Sequence, residues 1–164
     1  MAEEASINLS RALKLKNRVV HRLAQLDSLI AGENSNLDEN QQYDIRKLYQ
    51  DRLVLAEQLV QLKTALTVAN RPIQQLIFEP AECKALVAML GRVNTRHGVS
   101  FEGMSGVKAM YVAQFRKPDI DREVRRVERE IDRIQDELDQ FNHRTQIGVD
   151  AALLALAEAD DATR

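Results

Sequence analysis

The sequence predicts an all-α fold, an elongated antiparallel helical bundle with coiled-coil seams and one small two-stranded element near its middle. Three observations carry this. The 164 residues include six glycines, three prolines and no tryptophan, while 45% are apolar and 29% charged, the profile of long amphipathic helices. Apolar residues recur every three or four positions over several long stretches. Five of the nine glycines and prolines fall within Pro72–Pro80 and Gly98–Gly106, and the others stand singly, so long stretches carry none.

The first helix is expected over Ser6–Ile30, which holds neither Pro nor Gly and is followed by Gly32. Leu9, Leu13, Val20, Leu23 and Ile30 form one apolar row, and Ala12, Leu15, Val19, Leu26 and Leu29 form a second beside it. Two adjacent rows make a face wider than a two-helix seam. Asn36 with Glu39 fits a capping box for the second helix, which then runs to about Asn70. Its stripe is Ile45, Leu48, Arg52, Leu55, Leu59, Leu62 and Leu66, a heptad seam with one charged member. Tyr49, Leu53, Ala56 and Val60 make a second row. The short connection predicts an antiparallel hairpin of helices.

Pro72 ends the second helix, because the residue before a proline is driven away from helical geometry. Ile73–Phe78 reads as a short strand. Pro80 then suits the first turn of a third helix, Ala81 to His97, closed by Gly98 in a left-handed cap. Val99–Gly106 reads as a loop. Val107–Phe115 alternates and is expected to pair with Ile73–Phe78, although a helix fits it as well. Pro118-Asp119 opens the last helix. Ile120, Val124, Val127, Ile131, Ile134, Leu138 and Phe141 recur at heptad spacing, with Glu123, Glu130 and Glu137 along one flank. Arg126–Glu130 and Arg133–Glu137 are spaced to pair four apart. Gly148 is read as the stop. Residues 1–147 form the bundle, and 148–164 an Ala-rich, acidic tail that frays or forms a short helix capped by Asp150.

Composition bounds the function. The net charge of −2 gives no global attraction to nucleic acid or anionic membrane. One cysteine, Cys83, makes a disulfide scaffold impossible, and no apolar run is long enough to span a membrane. Glu3 and Glu4 open the chain without an apolar run, so no signal peptide is expected, and the location is cytoplasmic or within an assembled particle. His21, His97 and His143 are widely separated, and no Cys-x-x-Cys, nucleophile elbow or phosphate loop is present. No cofactor, metal or catalytic residue is therefore expected. One cluster stands out: Arg11, Lys14, Arg18 and Arg22 share a helix face, with Lys16 nearby and no acid among them. Such a face can meet phosphates or an acidic protein surface, and the lack of interleaved aromatics argues against base stacking.

The opening Ile7–Leu26, the second helix ending Leu66-Thr67-Val68-Ala69-Asn70, and above all Glu130-Ile131-Asp132-Arg133-Ile134-Gln135-Asp136-Glu137-Leu138-Asp139-Gln140-Phe141-Asn142 resemble the septicolysin-like family of bacterial and phage-borne helical proteins. The resemblance covers about residues 7–147. Family members tend to end that helix with Asn-Trp-Thr-Thr; Asn142-His143-Arg144-Thr145 stands here, so only Asn142 and Thr145 agree. The family name implies a cytolysin, but the resemblance supplies no catalytic residue. No segment here joins Trp or Phe to a basic face as membrane-surface helices do.

The function expected from these features is non-enzymatic: a self-associating helical subunit of a larger assembly, such as a phage particle or bacterial complex. Glu123, Glu130 and Glu137 against Arg11, Lys14, Arg18 and Arg22 would orient the contact. The alternatives are nucleic-acid or anionic-surface binding through the Arg11–Arg22 face, and a membrane-active cytolysin-like protein.

Overall fold

The computed structural model of the chain describes residues 4–35, 42–102 and 106–155. It is mostly helical, with four helices and two small two-stranded sheets. The elements are β1 (Glu4–Asn8), α1 (Leu9–Glu33), α2 (Ile45–Asn70), a 3-10 turn (Arg71–Ile73), α3 (Gln74–Leu90), β2 (Gly98–Glu102), β3 (Val107–Tyr111), α4 (Lys117–Arg144) and β4 (Gln146–Asp150). They group into two compact units, Met1–Pro72 with Asp139–Arg164, and Ile73–Leu138. The second unit is thus inserted into the chain of the first, and α4 contributes residues 117–138 to one and 139–144 to the other.

In the first unit α1 and α2 pack along each other. The α2 stripe behaves as its spacing predicts: Leu55, Leu59, Leu62 and Leu66 are buried, and Leu48 packs against the same core. On α1 the buried row is Ala12, Leu15, Val19 and Leu26, joined by Leu9. The other α1 row only flanks this core through Leu13, Leu23 and Ile30, and Val20 is exposed.

Several boundaries differ from the sequence reading. Ser6–Asn8 is strand, not helix. β1 pairs antiparallel with β4, setting Ile7 opposite Ile147 and Ala5 opposite Val149. Ile7, Ile147 and Val149 turn into the core while their neighbours face out, the alternation of a half-buried ribbon. Asn8 then caps α1, its Oδ1 accepting the Arg11 N–H at 2.9 Å. α2 starts at Ile45, where Asp44 Oδ1 accepts the Lys47 N–H at 3.0 Å. The expected Asn36–Glu39 cap lies outside the described residues. Gly148 does not stop the last helix, which ends at Arg144; it sits inside β4, with the Glu4 carboxylate across it. Asp150 ends β4 and caps residues 151–155, which are helical, by accepting the Ala152 N–H at 2.8 Å. Residues 156–164 of the tail lie outside the described residues.

In the second unit Ile73–Phe78 is not a strand. Arg71 keeps helical angles (φ −50°, ψ −44°) although Pro72 follows, and α3 begins at Gln74 with Pro80 inside it rather than in its first turn. The reason is a stripe that runs through the proline. Ile73 and Leu90 are buried, with Leu76, Pro80, Cys83 and Val87 half-buried between them, at spacings of three and four. Helix α3 ends at Leu90, well before the expected His97. Gly98, at φ +100°, opens β2 instead of closing a helix. The region read as a loop from Val99 supplies β2, and this strand, not Ile73–Phe78, is the partner of Val107–Tyr111. Residues 103–105 of the connection lie outside the described residues, and Gly106 leaves it at φ +61°. On α4, Ile120, Val127 and Ile134 are buried and Val124, Ile131 and Leu138 half-buried; Phe141 packs against the core of the first unit.

Candidate interaction surfaces

Four surfaces are candidates for interaction, two of them rows of charge and two of them patches of exposed apolar side chains. The first is the basic row of α1. Arg11, Lys14 and Arg18 are exposed along one face, as their spacing requires. Arg22 is half-buried at the end of the row, its Nη1 donating to Gln25 Oε1 at 3.2 Å. It also edges a groove of about 340 Å³ that Leu26, Leu48, Asp51 and Val54 line.

The second is the flank of α4. Glu123, Glu130 and Glu137 do lie along one side, but arginines of the same helix hold them. Arg126 Nε reaches both Glu123 oxygens at 3.0 Å, so it turns back to Glu123 rather than forward to the expected Glu130. Arg133 spans two of the acids, with Nη2 on Glu130 Oε1 at 2.6 Å and Nη1 on Glu137 Oε2 at 3.1 Å. Hydrogen bonding from Arg126 holds the Glu123 carboxyl below the usual range, and Arg133 does the same to Glu130. The guanidinium charges act in the same direction, and desolvation opposes them. The flank is therefore a compensated ladder, not a bare acidic strip. The basic row belongs to the first unit and this ladder to the second.

The third surface is the second row of α2. Tyr49, Leu53 and Val60 are exposed, Val60 to 63%, with Ala56 half-buried between them. The α1 side takes the neighbouring stripe, and its one charged member is matched there: Arg52 Nε donates to Asp27 Oδ1 at 2.9 Å.

The fourth is one face of the β2–β3 hairpin. In the antiparallel register Val99 sits opposite Met110 and Phe101 opposite Lys108, so these four side chains share a face. All are exposed, Phe101 to 72% and Met110 to 71%, and Val112 continues the patch. The other face is occupied. There Arg96 lies over the Tyr111 ring, 3.9 Å from its centroid, and bonds Ser100 Oγ. His97 Nδ1 accepts the Ala113 N–H at 3.2 Å and ties the hairpin base together. The sequence reading missed β2 entirely, although Val99, Ser100 and Phe101 alternate between two glycines.

His21 is 3.2 Å from Gln25 Nε2, His97 is in the hairpin base, and His143 ends α4. Cys83 is a free, half-buried thiol on α3. Among the described residues no group of three His, Cys, Asp or Glu is placed to hold a metal ion, and no helix is long and apolar enough to cross a membrane. Comparison of the chain with protein-family models, with curated proteins and with solved structures finds no match.

Proposed function

We propose that this chain is a self-associating structural subunit whose copies meet through the exposed row of α2. What supports this reading is that α2 is apolar on two neighbouring stripes and α1 covers only one. Tyr49 and Leu53, 50% and 42% exposed, sit in the N-terminal third of a regular helix, where their uncovered area costs solvation free energy.

The occupant that fits is a second α2 running antiparallel. Arg46 and Glu57 lie on the same flank of the row, eleven residues or three helical turns apart, and both are exposed. In an antiparallel pair, same-flank residues face each other. Arg46 of one copy then meets Glu57 of the other, twice, about a two-fold axis beside Leu53. Tyr49 and Leu53 fill the centre, and the charges fix the register more than the strength.

Light scattering on the reduced protein tests this. The wild type is expected to exceed the mass of one chain, 18.6 kDa, at micromolar concentration. Leu53→Glu should return it to one chain. Arg46→Glu should weaken the association and Arg46→Glu with Glu57→Arg should restore it. A wild type that stays at one chain across a tenfold dilution range overturns the proposal.

A further inference from the structure

We infer that the basic row of α1 binds the phosphate backbone of duplex nucleic acid without reading its sequence. From Leu9 to Leu26 the helix carries five cations, Arg11, Lys14, Lys16, Arg18 and Arg22, and no carboxylate. Arg11, Lys14, Arg18 and Arg22 follow one another at three, four and four residues, so they draw a line of roughly 16 Å along one side of the helix. The first three are exposed. Arg22 ends the line and donates to a neutral amide, Gln25, a bond that leaves its charge uncompensated. The next acid along α1, Asp27, is held by Arg52 of α2. The row belongs to the first unit and shares no residue with the α2 contact proposed above, so the two stand or fall separately.

The surroundings of the row select this partner among anionic ones. A helix that lies on a bilayer sinks an apolar face beside its charges. Here the apolar side of α1, with Ala12, Leu15, Val19 and Leu26, is buried in the core of the chain. The exposed Val20 is two residues from both Arg18 and Arg22, which puts it on the far side of the helix. A protein partner would want an apolar centre to its contact, and the row offers none. Charge alone is left, drawn as a narrow line and bordered on its solvent side by Asn17, His21 and Gln25. Such a line meets a linear polyanion along its whole length. A duplex carries one phosphate per about 1.7 Å of axis, on the order of ten over the length of the row. Three of the four cations are arginines, whose planar guanidinium can take two phosphate oxygens at once. No aromatic residue occurs in α1 to stack a base, so a single strand gains nothing over a duplex. With a net charge of −2 the rest of the chain adds no attraction, and the row acts as a salt-sensitive, non-specific site.

Fluorescence anisotropy of a short labelled DNA duplex, titrated with the full chain at several salt concentrations, tests this. Binding is expected at micromolar protein in low salt. The logarithm of the affinity should fall against that of salt with a slope of about −3 to −4 for each chain bound, the same for unrelated sequences. Arg11→Gln with Lys14→Gln and Arg18→Gln changes three exposed positions, so helicity by circular dichroism should match the wild type. It should keep about a quarter of the slope and bind about tenfold or more weaker in low salt. Lys14→Glu, a single exposed change, should weaken binding in the same direction. Lys47→Gln with Lys63→Gln and Lys84→Gln removes as much charge from exposed positions elsewhere and should bind nearly as the wild type does. Absence of binding in low salt, a row variant that binds as the wild type, or a control variant that loses as much overturns the inference. Phosphatidylserine vesicles and polyglutamate, supplied at the same concentration of anionic charge, give the last arms. Tighter binding to either than to the duplex, lost in the row variant, would assign the row to a membrane or to an acidic protein and also overturn it.

Discussion

Arg52 on α2 and Asp27 on α1 are joined by a 2.9 Å hydrogen bond between Nε and Oδ1, placing an ion pair in a seam that is otherwise apolar. Both side chains keep contact with solvent. The bond and the Asp27 charge raise the Arg52 pKa further above its ordinary value, so the guanidinium stays charged. An exposed pair of this kind adds little to stability but is specific in position, and it resists a slip of α2 by one turn.

Replacing the charged member should therefore do no harm to stability. Arg52→Leu would complete the apolar stripe, and its melting temperature is expected to equal or exceed that of the wild type. A drop of several degrees would show that the pair contributes to the strength of the α1–α2 contact and not only to its register.

Burial separates two leucines of the same helix. Leu62 is buried in the core and Leu53 is on the exposed row. Leu62→Ala should cost about 2–5 kcal/mol through lost transfer and a cavity. Leu53→Ala should cost well under about 1 kcal/mol in the fold of the chain. Urea unfolding at a concentration where the chain is monomeric compares the two. Similar midpoints would mean the α2 stripes are assigned the wrong way round.

On α4 the corresponding contrast is Ile134, fully buried, against the exposed Arg129. Ile134→Asp buries a carboxylate among apolar groups, at a cost of several kcal/mol, comparable with the stability of a small domain. Arg129→Ala should stay within about 0.5 kcal/mol. Thermal melts followed by circular dichroism read both.

The Glu–Arg ladder makes a pH prediction. Folding lowers the pKa of Glu123 and Glu130, so their contribution is complete above the unfolded value, about 4.3, and is lost as pH falls through the lower folded values. Carboxyl carbon shifts should titrate below that unfolded value for both residues. Arg133→Gln should bring Glu130 back toward it and leave Glu123, which Arg126 holds, where it was. Unchanged titration of Glu130 would break the assignment.

Helix capping gives a local check. Asn8→Ala removes the acceptor for the Arg11 N–H and should cost about 1 kcal/mol, while Asn8→Asp should be nearly neutral. Equal losses in both would point to the β1–β4 pairing rather than the cap as the feature disturbed.

The long helices were legible because their stripes are long. Leu55, Leu59, Leu62 and Leu66, and Ile120, Val127 and Ile134, repeat often enough that no other period fits, and burial follows the repeat. What could not be read was set by distant partners or by weak local signals. Ser6–Asn8 continues the helical pattern of α1, and only pairing with Gln146–Gly148 makes it strand. Pro80 looks like a start, yet the stripe from Ile73 to Leu90 carries the helix through it. The hairpin strand at Val99 is only five residues long and was hidden by its glycines. Of the interaction residues, the spacing of the basic row and of the three glutamates was readable. Which arginine turns to which glutamate was not, because rotamers of exposed side chains leave no trace in sequence.

The β1–β4 ribbon joins Glu4–Asn8 to residues more than 130 positions later, across an entire inserted unit. During synthesis at about 5–20 residues per second, β1 emerges and then waits roughly seven to thirty seconds for its mate. Through most of that interval α1 and α2 are already made and can pack on each other, but Ile7 and Leu9 have no β4 strand beside them. Strand β1 is therefore made before every other described element and is among the last of them to find its place.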